Sequence, residues 1–366
     1  MKVALVHDYL NQRGGAERVF AHIARAYPDA PVFTALHDPE RTRDLVDPSR
    51  VRVSGLQRLP GAGRYFRFLA PFYPAAFERF DLSGYDTIVS STTSWAKGVI
   101  VPPGAVHVAY LNAVSRFAFA YDAYVGGLSG AGATLARPLV QRLVDWDLRA
   151  AQRPTALVAN SRNVARRIEQ YYGRSAYVLP CPVDVDRFTV GPGDGDYFVA
   201  IARLLPYKRI DVAIAACARA GVPLYVVGSG PAEAALRAAA RGTATRFCGV
   251  ISDPELDALV GRARGVIVAA EEDFGLVALE AAAAGRPTIA FRGGGALETI
   301  VEGVTGAFFD APEPASLAAA IAEFDQRRYD PATLRAHAET FAPARFVARL
   351  QQIVEEVRAS AAPFVA

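Results

Sequence analysis

Short runs of Val, Ile, Ala and Leu recur along the chain, each closed by Gly, Pro or polar residues. Runs that are apolar at consecutive positions predict strands buried on both faces of a parallel sheet. In the first half they fall at Val3 to Val6, Thr87 to Ser90, His107 to Tyr110 and Ala156 to Val158. In the second half they fall at Tyr197 to Ala200, Leu224 to Val227, Gly265 to Ala269 and Thr288 to Phe291. Helical sequence lies between them. One predicted helix opens in the loop Arg13-Gly14-Gly15-Ala16-Glu17 and runs to about Tyr27. Another is capped by Asn160 or Ser161 and runs to about Tyr171. Further helices are predicted from Asp211 to Ala220, Ala315 to Phe324 and Ala344 to Arg358. Strand–helix alternation in both halves implies an α/β protein of two doubly wound, Rossmann-like domains. The stretch from Pro180-Cys181-Pro182 to Gly191-Pro192-Gly193-Asp194-Gly195 is dense in turn residues and reads as the linker. Ligands in such sheets bind beyond the carboxyl ends of the strands, so the expectation is two domains facing a central cleft.

Composition narrows the class. The chain has 366 residues, 52% of them hydrophobic, enough for two cores. No stretch of about 18 uninterrupted apolar residues appears, so no transmembrane helix is expected. The start MKVALVHDYL reads as a strand, because His7-Asp8 ends the apolar run too early for a signal peptide. Cys181, Cys217 and Cys248 are far apart and form no C-x-x-C, which suits buried, reduced thiols in a cytoplasmic protein. The net charge of +3 is uneven, with a basic excess over residues 1–190 and an acidic excess over 191–366. A basic first half favours an anionic partner: phosphate, acidic lipid or acidic glycan. Nearly all the cations are arginines, and the lysines are Lys2, Lys97 and Lys208.

The richest segment is Glu271-Glu272-Asp273-Phe274-Gly275-Leu276-Val277-Ala278-Leu279-Glu280, followed by Ala281 to Ala284 and Gly285-Arg286-Pro287. The alanines form a helix, which Gly285 and Pro287 stop. Its N-terminus near Phe274, Gly275 and Leu276 presents free N–H groups and a positive dipole end, which suits a phosphate. Glu272 precedes the helix and Glu280 falls two turns into it. A carboxylate accepts hydrogen bonds from two hydroxyls. Two carboxylates around an anion site fit a sugar nucleotide, with hydroxyls at both ends and a diphosphate between.

This segment resembles the E-x7-E motif of the retaining glycosyltransferase family 4, of GT-B fold. The likeness extends through Gly293-Gly294-Gly295-Ala296-Leu297-Glu298-Thr299 and Thr305-Gly306. Ala202-Arg203-Leu204-Leu205-Pro206-Tyr207-Lys208 resembles the family's R-x4-K element, whose two cations would stabilise charge on the departing diphosphate. Gly14-Gly15 resembles the N-terminal glycine loop near donor phosphates and acceptor. Gly228-Ser229-Gly230 lies at the turn that the family keeps close to the nucleotide. Phe247-Cys248-Gly249-Val250 is similar to the loop whose backbone meets the nucleobase, and Glu298 would orient the Gly293–Gly295 loop or the donor.

The stretch Ser90 to Val99 and then His107 to Phe117 resembles a bacterial mannosyltransferase subgroup with the pattern Y-x-H-x-P-x-R-Y. In that register Asn112 stands where His is usual and Val114 where Pro is usual, while Arg116 matches on the acceptor side. Asn donates and accepts but cannot titrate near neutral pH. The departure leaves open another donor, such as a UDP-sugar or a GDP-deoxysugar, or a catalytically weak nucleotide-sugar-binding homologue.

The resemblance implies a metal-independent hexosyltransferase that needs no cofactor beyond its donor, GDP-mannose. Arg203, Lys208 and Glu272 would be catalytic. Gly14, Gly15, Asn112, Gly228, Val250, Phe274, Gly275, Leu276 and Glu280 would bind the donor. It also implies domains 1–185 and 186–344, with a last helix over about 345–366 returning to the first. Asp184-Val185-Asp186 is read as linker rather than as a metal site, and no zinc motif appears. Between Arg52 and Phe80, Arg58, Arg64, Arg67 and Arg79 interleave with Tyr65, Phe66, Phe68, Phe72, Tyr73, Phe77 and Phe80. That pattern suits either an anionic membrane surface with a polyprenol-linked or other glycan acceptor, or an aromatic core cluster edged by solvated arginines. No nucleic-acid docking motif is present. The expected location is cytoplasmic, peripheral on the inner face of the plasma membrane.

Overall fold

The structure, a computed structural model, describes residues 1–115 and 131–361, with the backbone alone over 131–136. It divides into two compact units, Met1–Pro180 with Phe346–Ala366, and Cys181–Arg345. Each is a parallel sheet with helices between most successive strands.

The first sheet runs β3-β2-β1-β4-β5-β6-β7. Its strands are β1 (Val3–His7), β2 (Val32–Thr34), β3 (Val51–Val53), β4 (Thr87–Thr92), β5 (Val106–Leu111), β6 (Ala156–Ala159) and β7 (Tyr177–Val178). The apolar runs located β1, β4, β5 and β6, which are buried almost throughout. They did not locate β2, which is only three residues long, or the largely exposed edge strands β3 and β7. The second sheet runs β10-β9-β8-β11-β12-β13. Its strands are β8 (Phe198–Ile201), β9 (Leu224–Val227), β10 (Thr245–Gly249), β11 (Gly265–Val268), β12 (Thr288–Phe291) and β13 (Gly306–Phe309). Here β10 and β13 lie at the two edges, and the sequence reading placed neither.

In both sheets the first strand of the unit lies inside, and strand order reverses beside it: between β1 and β4, and between β8 and β11. That reversal is the topological switch point at which open α/β sheets bind ligands.

Local chemistry accounts for the helix ends. Ser161 Oγ accepts from Val164 N at 3.0 Å, and Gly173, at φ 63, closes the helix Arg162–Tyr172. The helix Asp253–Arg262 carries a full capping box between Ser252 and Glu255, an S-x-x-E signal that the sequence reading passed over. Cys181 and Cys217 are buried and Cys248 is half-buried, all as free thiols.

The first unit contains a buried ion pair. Lys97 Nζ lies 2.5 Å from Asp147 Oδ1, with the two side chains 1% and 0% exposed. Lys97 also donates to Ser94 O, Ser115 Oγ donates to Asp147 Oδ1 at 2.6 Å, and Tyr172 OH donates to Oδ2 at 2.8 Å. The network joins the turn Ala96–Gly98, the chain after β5, and the helices Ala131–Ala150 and Arg162–Tyr172. Removing one partner strands a charge in the core. Lys97→Met is therefore expected to lower unfolding stability by about 3–5 kcal/mol. Urea unfolding checks this; a loss under about 1 kcal/mol would show that the pair is not a buried charge pair in solution.

Candidate functional site

At the β8–β11 switch point of the second unit, the chain leaving β8 forms a turn, Pro206–Lys208, and the chain leaving β11 carries Glu272. Lys208 Nζ donates to both Glu272 oxygens at 2.7 Å. The pair is 19% and 21% exposed, so it is partly desolvated yet reachable. The sequence reading treated these two residues separately; the fold joins them. Arg203 is exposed on the same loop. Arg209, next to Lys208, has φ 51 and is the one non-glycine with positive φ among the described residues. Such backbone is uncommon for a bulky side chain and marks a constrained turn.

The predicted helix is Leu276–Ala283. Gly275 caps it at φ 100 with no side-chain acceptor for the first-turn N–H groups. The end at Gly285, φ 70, matches the expected stop. Glu280 is the fifth helical residue, little more than one turn in rather than two, because the helix starts only at Leu276. The ring of Phe274 is 4% exposed and packs edge-on to Phe341, so its side chain serves packing. Glu280 Oε1 lies 3.5 Å from Arg187 Nη2. Arg187 had not been singled out, because it stands in what read as linker.

Glycines let these loops stack backbone on backbone. A Cβ on Gly228, which has φ +121, would lie 2.0 Å from Ala202 O, and its N–H already donates to Gly249 O at 2.7 Å. A Cβ on Gly294 would lie 2.3 Å from Glu272 O, and one on Gly295 would lie 2.4 Å from Phe274 Cα. The Gly293–Gly295 loop thus clamps the segment carrying Glu272, with Gly295 N donating to Glu272 O at 2.8 Å. Val250, just past β10, is 79% exposed.

In the first unit, Gly14 precedes the helix Gly15–Ala26 at φ −133 and offers no side-chain cap. Glu17, in the first turn, is buried beneath the loop and accepts from Gln12 Nε2 at 2.9 Å. Burial pushes its carboxyl up from the ordinary range and holds the nearby His7 imidazole down. Asn112 ends β5. Its Nδ2 donates to Ser91 Oγ at 3.0 Å, and its carbonyl accepts from Asn160 Nδ2 at 2.9 Å, so it fastens β4, β5 and the loop after β6. Arg116 lies outside the described residues. The aromatic segment divides between its two readings: Tyr73 and Phe77 are buried, whereas Phe68, Phe72 and Tyr65 are 80%, 57% and 51% exposed.

Among the described residues, no group of three or more His, Cys, Asp or Glu is placed to hold a metal ion. Asp186 lies 3.4 Å from Arg335. No described helix is long and apolar enough to cross a membrane.

Two family models lie end to end along the chain. Residues 13–187 match Glycosyltransferase Family 4, and residues 184–340 match Glycosyl transferases group 1. The chain belongs to glycosyltransferase family 4. Among its relatives is the D-inositol 3-phosphate glycosyltransferase of Geodermatophilus obscurus, 34% identical over 52% of this chain and 50% of that protein. Another is the GDP-mannose-dependent alpha-(1-6)-phosphatidylinositol monomannoside mannosyltransferase of Mycolicibacterium smegmatis, 34% identical over 46% and 53%. The matches span about half the length of these relatives. The Anabaena protein HepE in complex with UDP and glucose shares the fold at TM-score 0.71 and 20% identity, covering 97% of this chain and 100% of that one.

The two GT-B units of this family 4 protein use glycine differently, and that can be measured. Gly228→Ala would drive a Cβ into a backbone carbonyl at a φ that alanine resists, at a cost of roughly 1–3 kcal/mol or more. Gly14→Ala keeps an ordinary φ and meets only the tip of the Glu17 side chain, at 2.7 Å. Thermal melts are expected to rank Gly228→Ala well below Gly14→Ala. Equal melting temperatures would show that the close approach of the loops after β8 and β9 is not rigid.

Proposed function

We propose that the protein transfers mannose from GDP-mannose to a hydroxyl of a glycan or polyprenol-linked acceptor, with retention at the anomeric carbon and without a metal ion. The observation that carries the reading is the partly desolvated Lys208–Glu272 pair at the β8–β11 switch, with exposed Arg203 on the loop that carries Lys208 and the helix N-terminus at Gly275 just after Glu272 in the chain. The acceptor oxygen forms its bond to the anomeric carbon on the face from which the diphosphate oxygen departs, and its proton passes to that phosphate. Arg203 and Lys208 stabilise the charge that develops on the leaving group. Lys208 gives two of its three N–H groups to Glu272, so it fixes the sugar-facing carboxylate and retains one donor for phosphate. Arg203, a planar fork, grips phosphate oxygens in pairs. Glu280 receives the ribose hydroxyls. The name of the mycobacterial relative supports the mannose donor.

The exposed face of the aromatic segment supports a lipid-linked acceptor. Phe68, Phe72 and Tyr65 stand among Arg58, Arg64 and Arg67, and no acidic residue occurs between Asp47 and Glu78. Apolar rings with arginines suit the headgroup level of an anionic bilayer, which fits work at the inner face of the plasma membrane.

The donor is tested by ligand-dependent melting, since a ligand that binds only the folded state stabilises it by mass action. GDP-mannose is expected to raise the melting temperature more than UDP-glucose or UDP-N-acetylglucosamine; a larger rise with a UDP-sugar overturns the GDP assignment. At saturating donor in excess chelator, Arg203→Ala is expected to cut turnover by about 100-fold or more. Turnover near that of the parent would remove Arg203 from the leaving-group role.

For the acceptor side, the parent protein is expected to co-sediment with anionic phosphatidylglycerol vesicles at low salt and to leave them at high salt. Joint replacement of Arg58, Arg64 and Arg67 by Gln is expected to abolish most of that binding, each arginine contributing about 1 kcal/mol, with nucleotide affinity unchanged. A parent that never binds vesicles, or a triple variant that binds equally well, refutes the membrane surface.

A further inference from the structure

Arg187 closes the short turn Val185–Arg187, in the stretch that the sequence alone presents as linker. Its guanidinium lies over the ring of Phe188, 4.5 Å from the centroid. Nη2 is 3.5 Å from Glu280 Oε1, and Nε is 3.9 Å from Asp253 Oδ2. Arg187 and Glu280 are 16% and 17% exposed, so their attraction is screened far less than that of a surface pair. Arg187 Nε is buried and makes no hydrogen bond among the described residues, so the group is held by charge and by stacking on Phe188 rather than by a full set of donors.

Both ends of this contact are fixed by one other residue. Arg335 Nη1 lies 2.9 Å from Val185 O, 2.6 Å from Phe188 O and 3.1 Å from Ala283 O. It therefore ties the turn that carries Arg187 to the C-terminal end of the helix that carries Glu280. Gly191 N, donating to Ala284 O at 3.2 Å, adds a second tie. A free glutamate on a helix surface samples several rotamers and must be ordered when a ligand arrives. Glu280 is instead held beside a cation that is mounted on the same frame.

We infer that Arg187 is a positioning residue for nucleoside recognition: it holds the Glu280 carboxylate ready to accept the two hydroxyls of a ribose and so sets the preference for ribose over deoxyribose nucleotides. The inference rests on the donor-site reading above. An anchored carboxylate still offers acceptor lone pairs to two hydroxyls. The cation also offsets the negative charge that Glu280 would otherwise present to an incoming diphosphate. Without Arg187 the carboxylate loses this anchor and the positive charge beside it, and the two hydroxyls lose an acceptor held in place by that contact.

The test compares binding of one nucleotide with and without its hydroxyls. GDP and UDP are titrated by calorimetry into the parent protein, and the tighter binder is compared with its 2′,3′-dideoxy counterpart. The parent is expected to prefer the ribose form by about 10-fold or more, as for hydroxyls bound to a charged group. In Arg187→Met the preference is expected to fall to about 3-fold or less, matching Glu280→Gln, and Arg187→Lys is expected to restore part of it. Arg187→Gln is read in the same way as the methionine variant and covers a failure of that variant to fold. A merely structural role would weaken both nucleotides equally and leave their ratio at the parent value, and that result overturns the inference alone. Failure of the parent to bind either nucleotide overturns the donor-site reading, and the inference falls with it.

Discussion

A doubly wound parallel sheet has one edge at which all its strands end, and one place along that edge where the connections part to opposite faces. Something must hold the two diverging loops together there. In the first unit a single carboxylate does so. Asp8, just past β1, accepts from Thr92 Oγ1, from Thr93 N and Oγ1, and from the N–H groups of Ser94, Trp95 and Ala96, at 2.7–3.0 Å. Those contacts use its acceptor capacity fully and fold the chain after β4 into the turn that delivers Trp95 and Lys97 to the core. In the second unit the same topological position is bridged by Lys208 and Glu272, which leave one ammonium donor and several carboxylate lone pairs unspent. One switch point is closed by its own hydrogen bonds. The other is held open by an ion pair with capacity left for a ligand.

Backbone packing sets the precision of that second bridge. The loops after β8, β9, β11 and β12 approach one another at distances no Cβ would permit, at Gly228 against Ala202 and at Gly294 against Glu272. Neither loop can move by much without lifting a carbonyl off its neighbour. Lys208 and Glu272 therefore meet because their main chains are clamped, and the salt bridge reports that geometry more than it creates it.

The central strands were legible because four to six buried residues in a row, built around apolar runs, leave few other readings. β3 and β7 were not, because an edge strand with exposed side chains carries no apolar signature and exists by pairing with a neighbour. The helix Leu276–Ala283 was legible from its alanines and its glycine stop, and the carboxylates around it from their spacing. Arg187 was invisible for a different reason. It is brought to Glu280 by Arg335, 148 positions further on, and no local pattern encodes a contact of that range. Asp8 was read only as the residue ending an apolar run, although that polarity, placed just past a buried strand, is itself the signal of a loop clasp.

The preference for arginine leaves this molecule with an unusual covalent profile. A guanidinium resists acylation near neutral pH, whereas an ε-amine can lose its proton and react. Of the lysine amines, that of Lys2 is exposed in the first unit, and that of Lys97 is sealed in the core against Asp147. Over the whole length of the second unit, Cys181–Arg345, the sequence supplies a single primary amine, that of Lys208. A reagent that seeks amines in that unit has one address, and it is the nitrogen that holds Glu272.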